Sequence, residues 1–545
     1  MSAVVGVAWT LYGVVSAILF VFSIGFTRYY QDKHDRDVLS TTTTILAVGL
    51  SLSCLALLPI DIFLVSSTVD PLTGLKKKWA TPDKIENIMF VLQWMYYGHY
   101  FLVGFFCFFL IPFVYFYYEE RDEVDQSRRD RIRTAFKYTS FFVAIFSVLF
   151  LFALFLKPNR PPPPQLDLDY FKKILIESNG EKTIAFVIAC LAFLGMLILI
   201  GYTAPGLSLF PMALIKGRKK LDLENENVEN QLLIVRERQR ELEAKYAGNN
   251  KVITTRDYRK MQNLEDEERI LARRLRGIEE DKKNVWQKVL TFLRPFKVAI
   301  GVICFVFSWI IVISMLLTII DKVSSSVCGR QCGYIISQTA LFNPINFTFV
   351  NLSKWFPLDY VLMVLLIFYY FLATISGLVN IGVRVLWMNL YCIRRRGTTP
   401  QGLLVTAMML TLSLLALNYT LTSTVAPGYA HFGSQVYCNY TTIREQRDCI
   451  DRNEYIIPCD LKAPTELCTP TMSSILIDRV LVDTPFLGLV FYYYQWAFIG
   501  MFFIGSLVAG FRQPRSNVDG NDVVEDLEHQ GLLSASSSQD HRSIS

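Results

Sequence analysis

A chain of 545 residues would ordinarily suggest several soluble domains of ~150 residues each. Its composition excludes that: 52% of residues are hydrophobic, 14% aromatic and only 19% charged, and the mean hydropathy is +0.33, more apolar surface than soluble cores can hide. The net charge of +6 is modest and has no clustered footprint of the kind that binds nucleic acid, leaving an all-α polytopic membrane protein as the expected class.

A helix that crosses a bilayer needs ~20 predominantly apolar residues. The first such run, Val4–Thr27, has no positive residue before it, is too long for a cleavable signal and is followed at once by Arg28. It therefore reads as a retained span with its N-terminus on the lumenal side. Ser40–Val65, Gln93–Tyr118, Phe136–Leu156 and Thr183–Leu209 follow, then a polar insert, then Val298–Ile320, Leu358–Met388, Leu403–Val425 and Phe486–Phe511. About nine transmembrane helices result, and they put the C-terminus in the cytosol. The expected organisation is spans one to five over 1–209, a cytosolic helical hairpin over 210–297, and spans six to eight with a lumenal loop over 298–425. A Cys-rich lumenal loop over 426–485, the last span over 486–511 and a disordered cytosolic tail over 512–545 complete it. The alternative for Tyr334–Val350, apolar but broken by Asn343, Pro344 and Asn346, is a re-entrant segment, which needs protein or water around its irregular backbone.

Charge and cysteine placement bear on this topology. Arg128-Arg129-Asp130-Arg131-Ile132-Arg133 and Arg394-Arg395-Arg396 fall on the expected cytosolic side, whereas Lys76-Lys77-Lys78 counts against it. Of the 11 cysteines, Cys54, Cys107, Cys190 and Cys304 lie in spans and Cys392 at a cytosolic helix end. Cys328, Cys332, Cys438, Cys449, Cys459 and Cys468 all fall in two expected lumenal loops. An even set on one side is the signature of an oxidising compartment, and six cysteines leave the pairing open. The Asn-x-Ser/Thr acceptors Asn346, Asn351 and Asn439 lie in the same loops, while the motif at Asn418 is inside a span. No His completes a metal site beside Cys328 and Cys332, so no metal is expected.

Roughly a third of all charged residues crowd between Lys216 and Lys297. Leu221, Val228, Leu232, Val235, Leu242 and Tyr246 make one helical stripe, and Met261, Leu264, Leu271, Leu275 and Ile278 a second, beyond a break at Ala247-Gly248-Asn249-Asn250. Two such helices can pack antiparallel, either as a solvated spacer or as a docking arm. Pro161–Pro164 is a stiff step on the lumenal side. In the tail, Glu528 with Leu532 and Leu533 has the form that clathrin adaptors read as an endolysosomal sorting signal.

Intramembrane charge marks transport paths, and here it is sparse. Asp61 and His99 lie near the lumenal ends of the second and third spans, where two helices joined by one loop could bring them together; they are the weak candidates for cargo contact. The bland reading places both in the wet interface. Arg384 reads as a snorkelling residue. No phosphate-binding loop, zinc helix or nucleophile elbow is present, so neither ATP hydrolysis nor any other enzyme activity is expected.

Several stretches carry a family resemblance: Leu58-Pro59-Ile60-Asp61-Ile62-Phe63, Ile111-Pro112-Phe113-Val114-Tyr115, Phe356-Pro357-Leu358-Asp359-Tyr360, Ile393-Arg394-Arg395-Arg396-Gly397-Thr398-Thr399-Pro400, Phe432-Gly433-Ser434-Gln435 and Gln495-Trp496-Ala497-Phe498-Ile499-Gly500. The chain resembles the limb-region-1-like membrane proteins, and on the last three motifs their lysosomal cobalamin-transport branch. The resemblance implies a nine-span lysosomal glycoprotein that assists export of cobalamin, its cargo, beside an ABC half-transporter of the peroxisomal subfamily. A homodimer is a further partner to be expected. It assigns no cobalamin-binding residue. The competing expectations are a receptor or trafficking adaptor that docks partners through the hairpin, and a lipid-handling channel.

Overall fold

The structure is a computed structural model. It describes residues 3–32, 35–120, 128–155, 179–217, 221–247, 257–275 apart from 259, 263, 266, 270, 273 and 274, and 294–326. Residues 341–440 apart from 354, 356, 386, 387 and 396, 453–511 apart from 462 and 465, and 329, 334, 335 and 449 are also described. The sorting residues Glu528, Leu532 and Leu533, the cysteines Cys328 and Cys332, the Pro161–Pro164 step and the break at Gly248-Asn249-Asn250 lie outside the described residues.

The apolar runs form helices. In chain order these are α1 (Ala3–Tyr30), α2 (Val38–Ser66), α3 (Pro82–Phe105), α4 (Ile111–Glu119), α5 (Arg128–Phe155), α6 (Asn179–Ile198) and α7 (Ala204–Lys216). They continue with α8 (Leu221–Ala247), α9 (Arg294–Ser324), α10 (Pro344–Leu352) and α11 (Leu358–Ile381). After a two-stranded ribbon, β1 (Val383–Val385) and β2 (Met388–Tyr391), come α12 (Pro400–Thr420) and α13 (Pro427–Phe432). A second ribbon, β3 (Val436–Cys438) and β4 (Ile456–Pro458), precedes α14 (Met472–Asp483) and α15 (Pro485–Phe511). Among the described residues eight helical segments are long and apolar enough to cross a membrane. The expected span Phe136–Leu156 falls on α5 except for its last residue.

The described chain divides into two compact units, Met1–Phe210 with Phe305–Val508, and Pro211–Cys304 with Ala509–Ser545. In the first, α2 and α12 are the buried centre: 89% and 83% of their most apolar windows are buried, against 17% for α1. Both central helices are rich in Ser, Thr, Ala and Gly, which lets backbones approach where hydrophobicity no longer drives helix association. Some of their buried hydroxyls are returned to their own helices, as Ser51 to the Ala47 carbonyl at 2.7 Å and Thr406 to Gly402 at 2.7 Å, while Ser40 of α2 donates across to the Pro400 carbonyl of α12 at 3.1 Å. Two glycines are required by close approach. A Cβ on Gly195 would strike the Leu412 carbonyl of α12, and one on Gly377 would strike the Tyr202 carbonyl.

Among the described residues three spans contain a single π-helical turn, at Phe106–Leu110, Leu199–Thr203 and Leu421–Val425. Such turns redirect side chains and recur at functional sites. The third one ends α12 and presents Ser423 and the Val425 carbonyl, the latter accepting from the Asn343 carboxamide at 3.1 Å.

In the second unit, Val228, Leu232 and Val235 of α8 pack on Leu271 with Leu264 and Leu275 beside them. Arg236 pairs with Glu268 at 2.7 Å and Lys245 with Asp257 at 3.1 Å, so the two stripes run antiparallel.

Two expectations are corrected. The span expected over Leu358–Met388 ends at Ile381, because Gly382 turns the chain with φ +77°, and residues beyond it form the β1–β2 ribbon. Arg384 therefore lies on a strand, its backbone N–H donating to the Tyr202 hydroxyl at 3.2 Å, and does not snorkel from a helix end. The expected Cys-rich loop over 426–485 is shorter than supposed, because Met472–Asp483 folds as α14 and packs into the bundle against α2, α3 and α6.

Candidate functional site

The site is built around α14. Thr471 caps it, accepting from the Ser474 N–H at 3.3 Å. The first-turn N–H groups that remain are taken by Asp61, whose Oδ1 accepts from Met472 at 3.1 Å and Oδ2 from Ser473 at 2.8 Å, with the Tyr96 hydroxyl donating to Oδ2 at 3.4 Å. A helix N-terminus carries unsatisfied donors and a partial positive charge, so a carboxylate there is stabilised while buried. Asp61 is fully buried. It clamps α14 to α2.

Asp61 and His99 do not pair. His99 turns Nδ1 to the Met95 carbonyl at 2.8 Å, and since a carbonyl only accepts, Nδ1 carries the proton; its Nε2 faces the Tyr12 hydroxyl at 3.3 Å. Neither the pairing nor, for Asp61, the wet interface holds: Asp61 is fully buried and is met by α14, 411 residues further along the chain.

Asp478 and Arg479 are consecutive on α14 and buried, and successive helical residues point about 100° apart, so the acid and the base serve two different centres. In the first, His431 on α13 donates through Nδ1 to the Pro427 carbonyl at 2.8 Å and turns Nε2 to Asp478 Oδ2 at 3.3 Å. One nitrogen against a carbonyl and the other against a carboxylate require the doubly protonated ring. Burial works against that charge, and so does Lys322, but the Asp478 carboxylate and the Pro427 carbonyl outweigh them and hold the imidazole above its ordinary value. Lys322, also buried, donates to Ser423 Oγ at 2.8 Å and Gln495 Oε1 at 3.5 Å. The π turn after α12 is what brings Ser423 to it.

In the second centre, the Arg479 guanidinium donates to the Tyr97 hydroxyl at 3.4 Å. It lines a cavity of about 30 Å³ with Tyr100 and Asn418, walled by Ile188, Leu476 and Phe491. The Asn418 amide donates to the Tyr100 hydroxyl at 3.0 Å, and its Oδ1 is buried without a partner. A further carboxylate, Asp359, accepts from the Tyr429 hydroxyl at 2.8 Å.

The segment before α14 is pinned by two disulfides, Cys438–Cys449 and Cys459–Cys468. Gln435 staples it too, donating to the Phe432 and Thr469 carbonyls and accepting from the Thr469 N–H. Of the glycosylation candidates, Asn439 is exposed beside Cys438, whereas Asn346 and Asn351 lie on α10. Asn346 Oδ1 accepts from the Tyr429 N–H at 2.7 Å. Among the described residues no group of His, Cys, Asp and Glu could hold a metal ion.

The fold and site define a polytopic helical membrane protein with a disulfide-held lobe and charged groups buried among its helices. The model of the LMBR1-like membrane proteins matches residues 9–291. Curated relatives match nearly end to end. One of Sclerotinia sclerotiorum is 39% identical over 96% of this chain and 92% of its own length, and one of Aspergillus terreus is 38% identical over 97% and 95%. A third, of Ajellomyces capsulatus, is 37% identical over 97% and 93%. Each is named a probable lysosomal cobalamin transporter. No solved structure matches the chain significantly. The chain belongs to the LMBR1-like membrane protein family.

Proposed function

We propose that the protein resides in the lysosomal membrane and is required for cobalamin to leave the lumen for the cytosol. The observation that carries this is the near full-length match at 37–39% identity to proteins named for that role. Cobalamin is bulky and polar and needs a protein route across ~30 Å of hydrocarbon. The partner beside which the chain acts as an escort is an ATP-driven one, an ABC half-transporter of the peroxisomal subfamily, since the sequence itself carries no phosphate-binding loop.

The orientation that fits puts the N-terminus and the disulfide-held lobe in the lumen and the hairpin and tail in the cytosol, since disulfides persist in oxidising compartments. Glu528, Leu532 and Leu533 then face clathrin adaptors. Deleting the gene and measuring cobalamin retained in isolated lysosomes tests the function: retention is expected, and normal release with altered receptor uptake would favour an endocytic adaptor instead. A glycan mapped to Asn439 supports the orientation, and one on the hairpin overturns it.

A further inference from the structure

We propose that the end of the bundle where α1, α2, α11 and α12 meet binds the phosphorylated headgroup of an anionic phospholipid, through Arg28 and Arg395 with Arg36 and Arg384 at the same end. The chain ties these helix ends together. The Thr398 N–H donates to the Tyr30 carbonyl and the Asp32 N–H to the Thr398 carbonyl, each at 3.1 Å, and Ser40 Oγ reaches the Pro400 carbonyl at 3.1 Å. Thr398 also closes the basic loop before it, accepting from the Arg394 N–H at 3.1 Å and donating to the Arg394 carbonyl at 2.8 Å. Arg395 is thereby fixed within a closed turn, its guanidinium 4.9 Å above the centre of the Tyr29 ring. Stacking occupies the plane of a guanidinium and leaves its N–H edges to grip a phosphate two bonds at a time. A general bias of basic residues toward one side of a membrane accounts for arginines here, but it requires neither the closed turn nor the stacked ring.

Arg28, Arg36, Arg384 and Arg395 are all exposed, and none is in an ion pair among the described residues. Two of the three carboxylates in the loop between α1 and α2 are taken by the protein. Asp35 accepts from the Tyr118 hydroxyl, and Asp37 caps α2 by accepting from the Ser40 N–H at 2.8 Å. The four helices are long and apolar enough to cross the membrane, and here they leave its apolar layer. Their arginines therefore lie at the depth of lipid phosphates, where each basic side chain adds to the attraction. Tyr29, Val38 and Leu39, close to Arg28 and Arg36 in the chain, are exposed as well. Glycerol and acyl groups cover such apolar surface and a soluble phosphate does not, so the occupant is a lipid.

The test uses the full chain purified in detergent and unfolded thermally while dioctanoyl phosphatidylinositol phosphate is added. Dioctanoyl phosphatidylcholine and free inositol phosphate are the comparisons. A saturable rise in Tm with the anionic lipid alone is expected, because a ligand that binds only the folded state stabilises it by mass action. The double variant Arg28→Gln/Arg395→Gln should weaken the apparent affinity at least about tenfold, since it removes two charges at the headgroup. Should that variant fail to fold, Arg395→Gln and Tyr29→Leu are compared singly. Each should weaken binding severalfold, the second with every charge retained. Equal responses to the anionic lipid and to phosphatidylcholine would mean that only the acyl chains are sensed, and would overturn the proposal. A response to free inositol phosphate as strong as to the lipid would make this a site for a soluble anion and overturn it too. So would binding that survives unchanged in the arginine and tyrosine variants, because the headgroup would then lie elsewhere.

Discussion

The bundle around α14 and the hairpin led by α8 both hold charged side chains in hydrogen bonds, but they do it in different solvents. In the hairpin, the Arg236 and Glu268 side chains are 48% and 30% exposed, and water would solvate either one alone. In the bundle, Asp61, Lys322 and Asp478 are at most 3% exposed, so each must be satisfied by protein or be very costly. Geometry there is accordingly specific: a helix N-terminus for Asp61, an imidazolium for Asp478, a hydroxyl and a carboxamide for Lys322. The lesson is that a charge count says little about this protein. Roughly a third of its charges crowd on the hairpin segment and its tolerance is there too, while a few in the bundle set the fold.

That contrast should break first at Asp61. Asp61→Ala strips two α14 N–H groups and the Tyr96 hydroxyl of their acceptor, and leaving buried donors unsatisfied costs ~1–3 kcal/mol each. A loss of about 3 kcal/mol or more is expected, seen as a fall in Tm of the purified protein and as retention of cobalamin in lysosomes. Asp61→Asn should lose less, because one oxygen still accepts from Met472 or Ser473. His99→Ala, whose ring makes one bond to its own helix and one to Tyr12, should lose least of the three. Equal losses at Asp61 and His99 would defeat the clamp.

How much of this was legible follows from the same residues. The apolar runs and the polar insert are read from periodicity alone, and the resemblance motifs fall on working parts: Gln435 staples the lobe and Gln495 holds Lys322. Asp61 stood out as a carboxylate in a span, but its partner could not be read, because α14 comes from the far end of the chain. α14 itself was hidden. Its apolar stretch is too short for a span, and a run of 10–14 apolar residues is as often a buried core helix. Asp478 and Arg479 were thereby assigned to a loop. Lys322 was missed by two residues, since the apolar run stops at Ile320 while the helix continues to Ser324. Asn418 shows in the sequence only as a glycosylation motif inside a span, and no local pattern marks a cavity.

The lobe sits next in size. Replacing both Cys459 and Cys468 with serine opens a bridge spanning 9 residues, for which constraint of the unfolded chain predicts a loss of about 3 kcal/mol. The effect should be confined to the lobe and α14: hydrogen exchange should rise at Gln435 and Thr469 and leave the hairpin unchanged. Uniform loosening of the whole chain would mean that the lobe is not a local clamp on α14.

A smaller effect, and one with a sign, is expected at His431. Its folded value is raised above the ordinary 6.5, so the folded state holds a proton that the unfolded chain releases near neutrality. The stabilisation is fully present below about pH 6.5 and is lost as pH rises through the folded value. The protein should therefore be more stable in acid, and the Tm profile should decline above neutrality. His431→Gln keeps a donor for Asp478 but cannot titrate, and it should flatten that decline. A profile unchanged by the substitution would place the titration elsewhere.

The smallest effect belongs to the hairpin, and its smallness is the point. Arg236 and Glu268 make a good bond, 2.7 Å from Nε to Oε1, and Arg236 holds the Glu268 carboxyl below its ordinary range through that bond. Yet both side chains reach water, so the pair trades protein contact for hydration and loses side-chain freedom. Such pairs are worth ~0–1 kcal/mol. What holds the hairpin is its apolar seam of Val228, Leu232 and Val235 against Leu271, which neither Arg236→Ala nor Glu268→Ala touches. Hydrogen exchange over residues 228–275 of the full chain should change by less than about fivefold in either variant. The remaining coupling in a double-mutant cycle should shrink further at 1 M salt, where the screening length falls to ~3 Å. A coupling several-fold larger, or one indifferent to salt, would mean that this pair is shielded from water as Asp478 and His431 are, and the division between the two regions would have to be redrawn.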